Sequence, residues 1–286
     1  MSSTRISACP CCKSDKFNIF FSSSQCKSIS TWQEFFYGSS DFIGDIYACS
    51  SCNYRFINTI RDHYERFYKE QILADSSSLD VFRRSYFQKV KGRLLTQFSE
   101  VPSNPSILDI GCAKGLWMEL WQDKGEVFGS EYSVECIKSL KQKNITVLNQ
   151  AEIKERKFDV ISLFDVLEHI EDPYAYLKQV VESLLPGGLL VLGIPDMGKI
   201  MARILGHRYY LVCPMHFSYF ERKSIRFLME RLFEPESIII EKSPIMNADL
   251  RGISRWISFM PEIPDKLNFP VPIPYRASLL CFAKKS

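Results

Sequence analysis

Hydrophobic and polar positions follow two different rhythms along this chain. Tyr64, Phe67, Tyr68, Ile72 and Leu73 recur at three- and four-residue spacing, and so do Phe82, Tyr86, Phe87, Val90, Leu94 and Leu95. That spacing stacks side chains on one face of a helix, so both series predict amphipathic helices. Asp75-Ser-Ser-Ser78 interrupts them and offers N-caps for the second. From Ser106 the rhythm changes to short apolar runs. Ile107 and Leu108 follow Pro105, which cannot donate to a sheet ladder, and Asp109 closes the run. Gly111 and Gly115 then bracket a tight turn, and Leu116 to Trp121 resume helical spacing. Strand, glycine turn and helix form the first unit of a doubly wound α/β sheet. Further strands are predicted at Val127-Phe128, Ile145-Thr-Val-Leu148, Val160 to Phe164, Leu189 to Leu192, Ile238 to Ile240 and Ser278 to Phe282.

Sheets of this kind bind ligands at the carboxyl ends of their strands, which makes the glycine turn a ligand floor. The dinucleotide fingerprint would need a glycine two residues after Gly111, and Ala113 stands there. The second strand ends in Glu131, 22 residues after Asp109. A carboxylate there can accept both ribose hydroxyls of a nucleoside.

Composition narrows the class. Of 286 residues, 46% are hydrophobic and 24% charged, which describes an ordinary globular chain. Net charge is +3 with scattered Lys and Arg, so no basic stripe marks a nucleic-acid partner. No apolar run approaches the roughly 18 residues of a membrane span, and the N-terminus has no leader pattern. A cytoplasmic setting is therefore expected, where ten cysteines stay reduced. Cys9-Pro-Cys-Cys12 and Cys49-Ser-Ser-Cys52 are two C-x2-C pairs, spacing that suits a four-thiolate structural zinc. Cys11 and Cys26 are spare. Trp32, Phe35, Phe36 and Tyr37 lie between the pairs and would pack a ribbon too small to build a core alone.

Asp109-Ile-Gly-Cys-Ala-Lys-Gly115 resembles motif I of class I S-adenosylmethionine-dependent methyltransferases, usually D/E-x-G-x-G-x-G, with Ala113 at the middle glycine. Phe158-Asp-Val-Ile and Leu167-Glu-His-Ile-Glu-Asp-Pro173 resemble a block of the ubiquinone-biosynthesis-like branch of that class. Leu184-Leu-Pro-Gly-Gly188 is similar to its L-x-P-G-G turn. The resemblance covers about residues 101 to 242 and resumes at 278 to 285. It implies a seven-stranded Rossmann-like sheet and S-adenosylmethionine as cofactor. Carried over by position, Asp109, Gly111, Cys112, Ala113, Gly115, Glu131, Tyr132, Ala151, Glu152 and Phe164 would line the cofactor. Tyr64, Tyr68 or Tyr86 could lean over it, although core packing is the simpler role for such a stripe. Some relatives bind a divalent cation near this block, which would here use Asp165, Glu168 and His169. Enzymes acting on planar amide or exocyclic nitrogens carry N/D-P-P-Y/F where this chain reads Phe164-Asp-Val-Leu167, so those acceptors are disfavoured.

The sulfonium of such a cofactor is already reactive, so the protein must supply alignment and a base for the attacking hydroxyl. Of four histidines, His63 is expected at the surface and His207 in a polar-aromatic loop. His216, in Pro214-Met-His-Phe-Ser-Tyr-Phe220, and His169, beside the cofactor block, are the candidate catalytic residues. The predicted organisation is a zinc-ribbon-like domain at 1–60, a helical bridge at 61–100 and a methyltransferase domain at 101–286. Segments 199–220 and 246–275 would form a substrate lid. The expected activity is O-methylation of a small biosynthetic metabolite, a sugar or nucleotide-linked sugar. An RNA methyltransferase gripping its substrate through the ribbon, or a non-catalytic cofactor-binding module, are the competing expectations.

Overall fold

The computed structural model describes residues 6–22, 44–58, 77–205, 209, 212, 216–249, 270–274 and 278–286. Three strands come first: β1 (Phe17–Phe21), β2 (Ile46–Cys49) and β3 (Arg55–Ile57). Then follow α1 (Ser77–Gln97), β4 (Ser106–Ile110), α2 (Leu116–Glu119), β5 (Glu126–Ser130), α3 (Val134–Gln142), β6 (Thr146–Val147) and α4 (Gln150–Lys154). The central part holds β7 (Phe158–Phe164), a 3-10 turn (Leu167–His169), α5 (Pro173–Glu182), β8 (Leu184–Pro195) and α6 (Ile200–Leu205). The last elements are β9 (Ser218–Tyr219), α7 (Arg222–Met229), a 3-10 turn (Pro235–Ser237), β10 (Ile238–Lys242), β11 (Ile245–Asp249), β12 (Pro270–Pro274) and β13 (Ser278–Lys284).

The main sheet has seven strands in the order β10-β13-β8-β7-β4-β5-β6. β6, β5, β4, β7 and β8 run parallel, and β13 enters antiparallel between β8 and β10. The carboxyl ends of β4, β5 and β7 therefore open on one edge, which places the glycine turn beside Glu131 and the segment after Phe164. The apolar runs explain the central strands. Val160, Ile161 and Leu163 are fully buried, as expected for a strand covered on both faces. One face of the sheet packs on α5 and α7 through Leu177, Ile225 and Leu228. The other packs on α1 through Tyr86, Phe87, Val90 and Leu94, the stripe read from helical spacing. Leu95 in that stripe is exposed.

Two strands differ from expectation. β6 keeps only Thr146–Val147 of the predicted run, although Ile145 and Leu148 are buried at either side. β8 starts at Leu184 and passes through Gly187-Gly188 without a break. Gly187 takes φ 77, its N–H donates to Lys285 O at 2.9 Å, and Lys285 N–H returns a bond to Gly188 O. The glycine pair is a bulge held by the chain that follows β13.

A second sheet has the order β1-β2-β3-β9. Its fourth strand comes from the part of the chain that follows β8, with Arg55 opposite Tyr219 and Phe56 opposite Ser218. The join is buried. Arg55 pairs with Glu221 at 2.9 Å, donates to Met197 O at 3.1 Å and stacks 4.2 Å from the Phe20 ring centroid. Cys9, Cys11, Cys49, Cys52, Tyr54 and Phe56 belong to the same buried cluster as Leu167, Phe220 and Ile225.

Within 199–220, the stretch from His216 to Phe220 is buried and carries β9. β11 and β12 pair antiparallel at the two ends of segment 246–275. Trp32, Phe35, Phe36, Tyr37, Cys26, the first bridge helix with Tyr64 and Tyr68, His63 and His207 lie outside the described residues. Among the described residues no helix is long and apolar enough to cross a membrane.

Candidate active site

The floor of the site is the turn between β4 and α2. Gly111, Ala113 and Gly115 take φ of 69, 46 and 81, three left-handed residues within five. A Cβ on Gly111 would stand 2.5 Å from Val166 Cγ2, so the chain leaving β7 rests directly on this turn. Glycine is required there on two counts, conformation and space. The N–H groups of Gly111 and Cys112 both donate to Ser130 O, at 2.8 and 3.3 Å, which ties the turn to the tip of β5. Cys112 is buried, and its Sγ would lie 2.6 Å from a Cβ on Gly129, so Gly129 makes room for it.

Glu131 follows β5 directly. Its Oε2 accepts the Ala113 N–H at 2.8 Å, and its Oε1 accepts the N–H of Tyr132 at 2.7 Å and of Ser133 at 2.9 Å. The carboxylate is held by three backbone donors. Below it, Asp109 is 4% exposed and accepts the Ser162 hydroxyl at 2.6 Å, its register partner on β7. Burial pushes the Asp109 carboxyl up to about 7; Ser162 opposes that shift and the nearby Glu131 adds to it. Sequence reasoning passed over Ser162, although a hydroxyl inside an otherwise apolar run was the available signal.

The remaining predicted cofactor residues divide. Phe164 ends β7 within an aromatic group, its ring centroid 4.9 Å from Phe87, 5.3 Å from Trp117 and 6.3 Å from Tyr86. Tyr86 is fully buried, in agreement with the packing role. Tyr132 is exposed, and its hydroxyl accepts from Gln150 at 3.2 Å. Ala151 and Glu152 sit in the first turn of α4. Their N–H groups donate to Asn149 Oδ1, and the Glu152 carboxylate accepts the Asn149 N–H at 2.7 Å. Their polar groups thus form a capping box.

Beyond Phe164 the chain reverses at Asp165, φ 56, and enters the 3-10 turn Leu167–His169. This turn meets the segment before β9. Phe217 N–H donates to Glu168 O at 2.9 Å, and the His169 and His216 rings lie 4.8 Å apart, edge to face at 72°. His216 and Glu168 are buried, and His169 Nε2 is 3.9 Å from Glu168 Oε1. One ligand atom from each of Glu168, His169 and His216 lies within 4.8 Å of the others. Such an O,N,N donor set could hold a divalent cation. His216 takes the third place in that cluster, where the sequence pointed to Asp165. The two catalytic candidates, 47 residues apart in sequence, are brought together.

The four predicted thiols also converge, all within 4.8 Å of one another. Cys9 Sγ is 3.7 Å from Cys52 Sγ, and Cys12 Sγ is 3.5 Å from Cys49 Sγ. Four sulfurs around zinc at about 2.3 Å stand about 3.8 Å apart, so the spacing fits tetrahedral S4 ligation. Both knuckles have the same build. Lys13 and Asn53 take φ of 63 and 57 and donate back to Cys9 O and Cys49 O at 2.8 and 3.0 Å. Lysine adopts the left-handed conformation there despite its Cβ, and its Nζ reaches Asp172 at 2.5 Å. The hydrogen bond from Cys52 and then burial push the Cys9 thiol well above the ordinary thiol range; a metal cation would reverse this. Cys11 is buried outside this set, and Arg231 donates to its carbonyl.

The family defined by a methyltransferase domain matches residues 82–232, more than half of the chain. The chain belongs to that family and is a class I S-adenosylmethionine-dependent methyltransferase. The ubiquinone biosynthesis O-methyltransferase of Psychrobacter arcticus is 30% identical over 121 residues, 37% of this chain and 47% of that protein. That of Cereibacter sphaeroides is 37% identical over 97 residues, 30% of this chain and 39% of that protein. These matches span less than half the length of either relative. A solved methyltransferase from Archaeoglobus fulgidus is 19% identical, covers 72% of this chain and 98% of its own, and superposes with TM-score 0.48.

Proposed function

We propose that this methyltransferase methylates a hydroxyl oxygen of a small biosynthetic metabolite, with a sugar or nucleotide-linked sugar as the acceptor class. The observation that carries the reading is the pair of imidazoles, His169 and His216, beside the chain that rests on the glycine turn. When bound, S-adenosylmethionine supplies an electrophilic methyl group that needs no further activation. The chain's own residues do the rest. The tight turn from Gly111 to Gly115 lets the backbone approach the ligand closely. Glu131 Oε2 accepts one N–H and retains capacity for a hydroxyl donor from a ribose. Asp109, Cys112, Ala113 and Phe164 shape the same edge of the sheet, while Tyr132, Ala151 and Glu152 border it.

A hydroxyl that attacks carbon must give up its proton, and a neutral imidazole is suited to accept it near neutral pH. His216 is the acceptor in this reading, with His169 as its neighbour. A proton held on His169 gains the Glu168 carboxylate 3.9 Å away. The four thiolates hold a structural zinc with no open coordination position. Reduced thiols at this density suit the cytoplasm.

The name shared by the curated relatives supports a second acceptor, a hydroxyl-bearing intermediate of ubiquinone biosynthesis. The deciding experiment incubates the chain with methyl-labelled cofactor and a fractionated metabolite extract. Label in a sugar or nucleotide-sugar fraction supports the first reading, and label in a quinone-precursor fraction replaces it with the second. Label only in RNA, or no transfer from a chain that binds the cofactor, overturns both.

A further inference from the structure

The knuckle around Cys49 and Cys52 is two residues from Tyr54, whose side chain reaches Ser218 in the segment that follows His216. Cys49 N–H donates to Tyr54 O at 2.9 Å, and Asn53 N–H closes the turn on Cys49 O, so the backbone at Tyr54 is part of the knuckle. The Tyr54 ring is fully buried between Phe56 and Phe220, at centroid distances of 5.8 and 5.3 Å. Its hydroxyl meets the Ser218 hydroxyl, also buried. The direction of this bond follows from the next one. Ser218 Oγ lies 2.8 Å from Ile170 O, and a carbonyl cannot donate, so the serine proton points to Ile170. Ser218 must then accept from Tyr54. The chain runs one way, from Tyr54 O–H to Ser218 O–H to Ile170 C=O, and each bond polarises the next.

The middle and the far end of that chain border the imidazole pair. Ile170 directly follows His169, and Ser218 lies two residues after His216. Two backbone bonds run alongside. Ile57 N–H donates to Phe217 O at 3.0 Å, and Phe217 N–H donates to Glu168 O at 2.9 Å. The segment carrying His216 is therefore clamped between the ribbon strand β3 and the turn carrying His169.

We infer that Tyr54 is a positioning residue for the His169–His216 pair, and that through it metal occupancy of the four-cysteine knuckle sets the geometry of the two imidazoles. This rests on the reading of that pair as the proton-accepting site. The thiol cluster then acts as more than a staple for a small sheet. Loss of the metal loosens the knuckle turn and moves Tyr54, and the hydrogen-bond chain carries the change to His169 and His216.

The test is spectroscopic and uses the full chain loaded with zinc and labelled with 15N-histidine. The ring resonances of His169 and His216 are assigned from His169→Gln and His216→Gln. Tyr54→Phe keeps the ring and removes one donor; it is expected to move both sets of ring resonances at fixed pH while leaving calorimetric cofactor affinity unchanged. Stripping zinc with a chelator is expected to move the same resonances in wild type, and to move them much less in Tyr54→Phe. Ser218→Ala breaks the chain at its middle and serves where Tyr54→Phe melts without a cooperative transition. Unmoved ring resonances in both variants overturn the inference, as does an equal response to zinc removal in wild type and variant. Lost cofactor affinity in Tyr54→Phe also overturns it, because that marks general damage. Failure of the acceptor assignment shows separately, as missing label transfer from a chain whose histidines still respond to zinc.

Discussion

The backbone N–H of Ala113 donates to Glu131 Oε2 at 2.8 Å, joining the turn after β4 to the tip of β5. With the two bonds from Gly111 and Cys112 N–H to Ser130 O, it sets the separation between the two features from which a nucleoside site was read. It also makes Glu131 sensitive to a one-atom change. In Glu131→Gln only one side-chain oxygen remains to serve three N–H donors, and an amide N–H2 must face the others. Cofactor affinity is expected to fall about 10- to 100-fold, the range for losing charged hydrogen bonds. Calorimetric titration with S-adenosylmethionine measures this, and unaltered affinity would remove Glu131 from the site.

Asp109 predicts a pH dependence of stability. Burial raises its folded pKa to about 7, above the ordinary value of about 3.9, so the folded state favours the protonated form. Below pH ~4 both states are protonated and the group carries no penalty. Between ~4 and ~7 the unfolded chain releases the proton first, so the penalty grows; above ~7 it is complete. Melting of wild type relative to Asp109→Asn should therefore fall across that window. The asparagine still offers Oδ1 to Ser162 and should melt higher at pH 8. Equal pH slopes for the two proteins would contradict the assignment. Ser162→Ala removes the one hydroxyl that opposes the shift and should cost more stability at pH 8 than at pH 5.

Much of this was legible in the chain. Pro105, the run to Asp109 and the spacing of Gly111 and Gly115 dictate a strand and a turn of one shape, because only certain residues occupy such φ values. The stripe from Phe82 to Leu94 fixes a helix face by period alone. The thiol pairs announce their own geometry. What could not be read was the pairing of β3 with β9, since no local signal links Arg55 to Tyr219 across the length of the chain. The meeting of His169 with His216 lies beside that pairing, since Phe217 bonds to both Ile57 and Glu168. Ala151 and Glu152 lie two and three residues after Asn149, and a capping box occupies the position from which a cofactor contact was read.

Arg55 and Glu221 form a pair with side chains only 8% and 10% exposed, across the join between the two sheets. Removing one partner strands the other charge out of water, at about 3–5 kcal/mol. Arg55→Met should lose that much in urea unfolding. Arg55→Met combined with Glu221→Met should recover more than half, since no buried charge is then left alone. Additive losses in the double variant would show that the pair is not coupled.

Zinc is expected at one ion per chain in protein purified without chelator, counted by atomic emission. Cys49→Ser should abolish it, because three thiolates and a hydroxyl bind far more weakly. Its cost should appear as a lower melting temperature, since a site of this kind contributes its binding free energy to folding. Full zinc content in Cys49→Ser would mean that the ion sits elsewhere.

His216→Ala is the sharpest test of the chemistry. The imidazole is buried against His169 and stands 6.2 Å, ring to ring, from Tyr219, away from Glu131 and the glycine turn in sequence and in role. Deleting it should leave cofactor affinity within error of wild type. Methyl transfer should fall by roughly 10²-fold or more, the usual contribution of a positioned base. His169→Ala should fall less, because in this arrangement it supports a proton that His216 receives first. Assayed on the acceptor fraction that takes up label, rates should rank wild type, then His169→Ala, then His216→Ala. The reverse ranking would assign the proton to His169, whose Nε2 stands 3.9 Å from Glu168 Oε1, and full activity in both would remove the pair from the reaction.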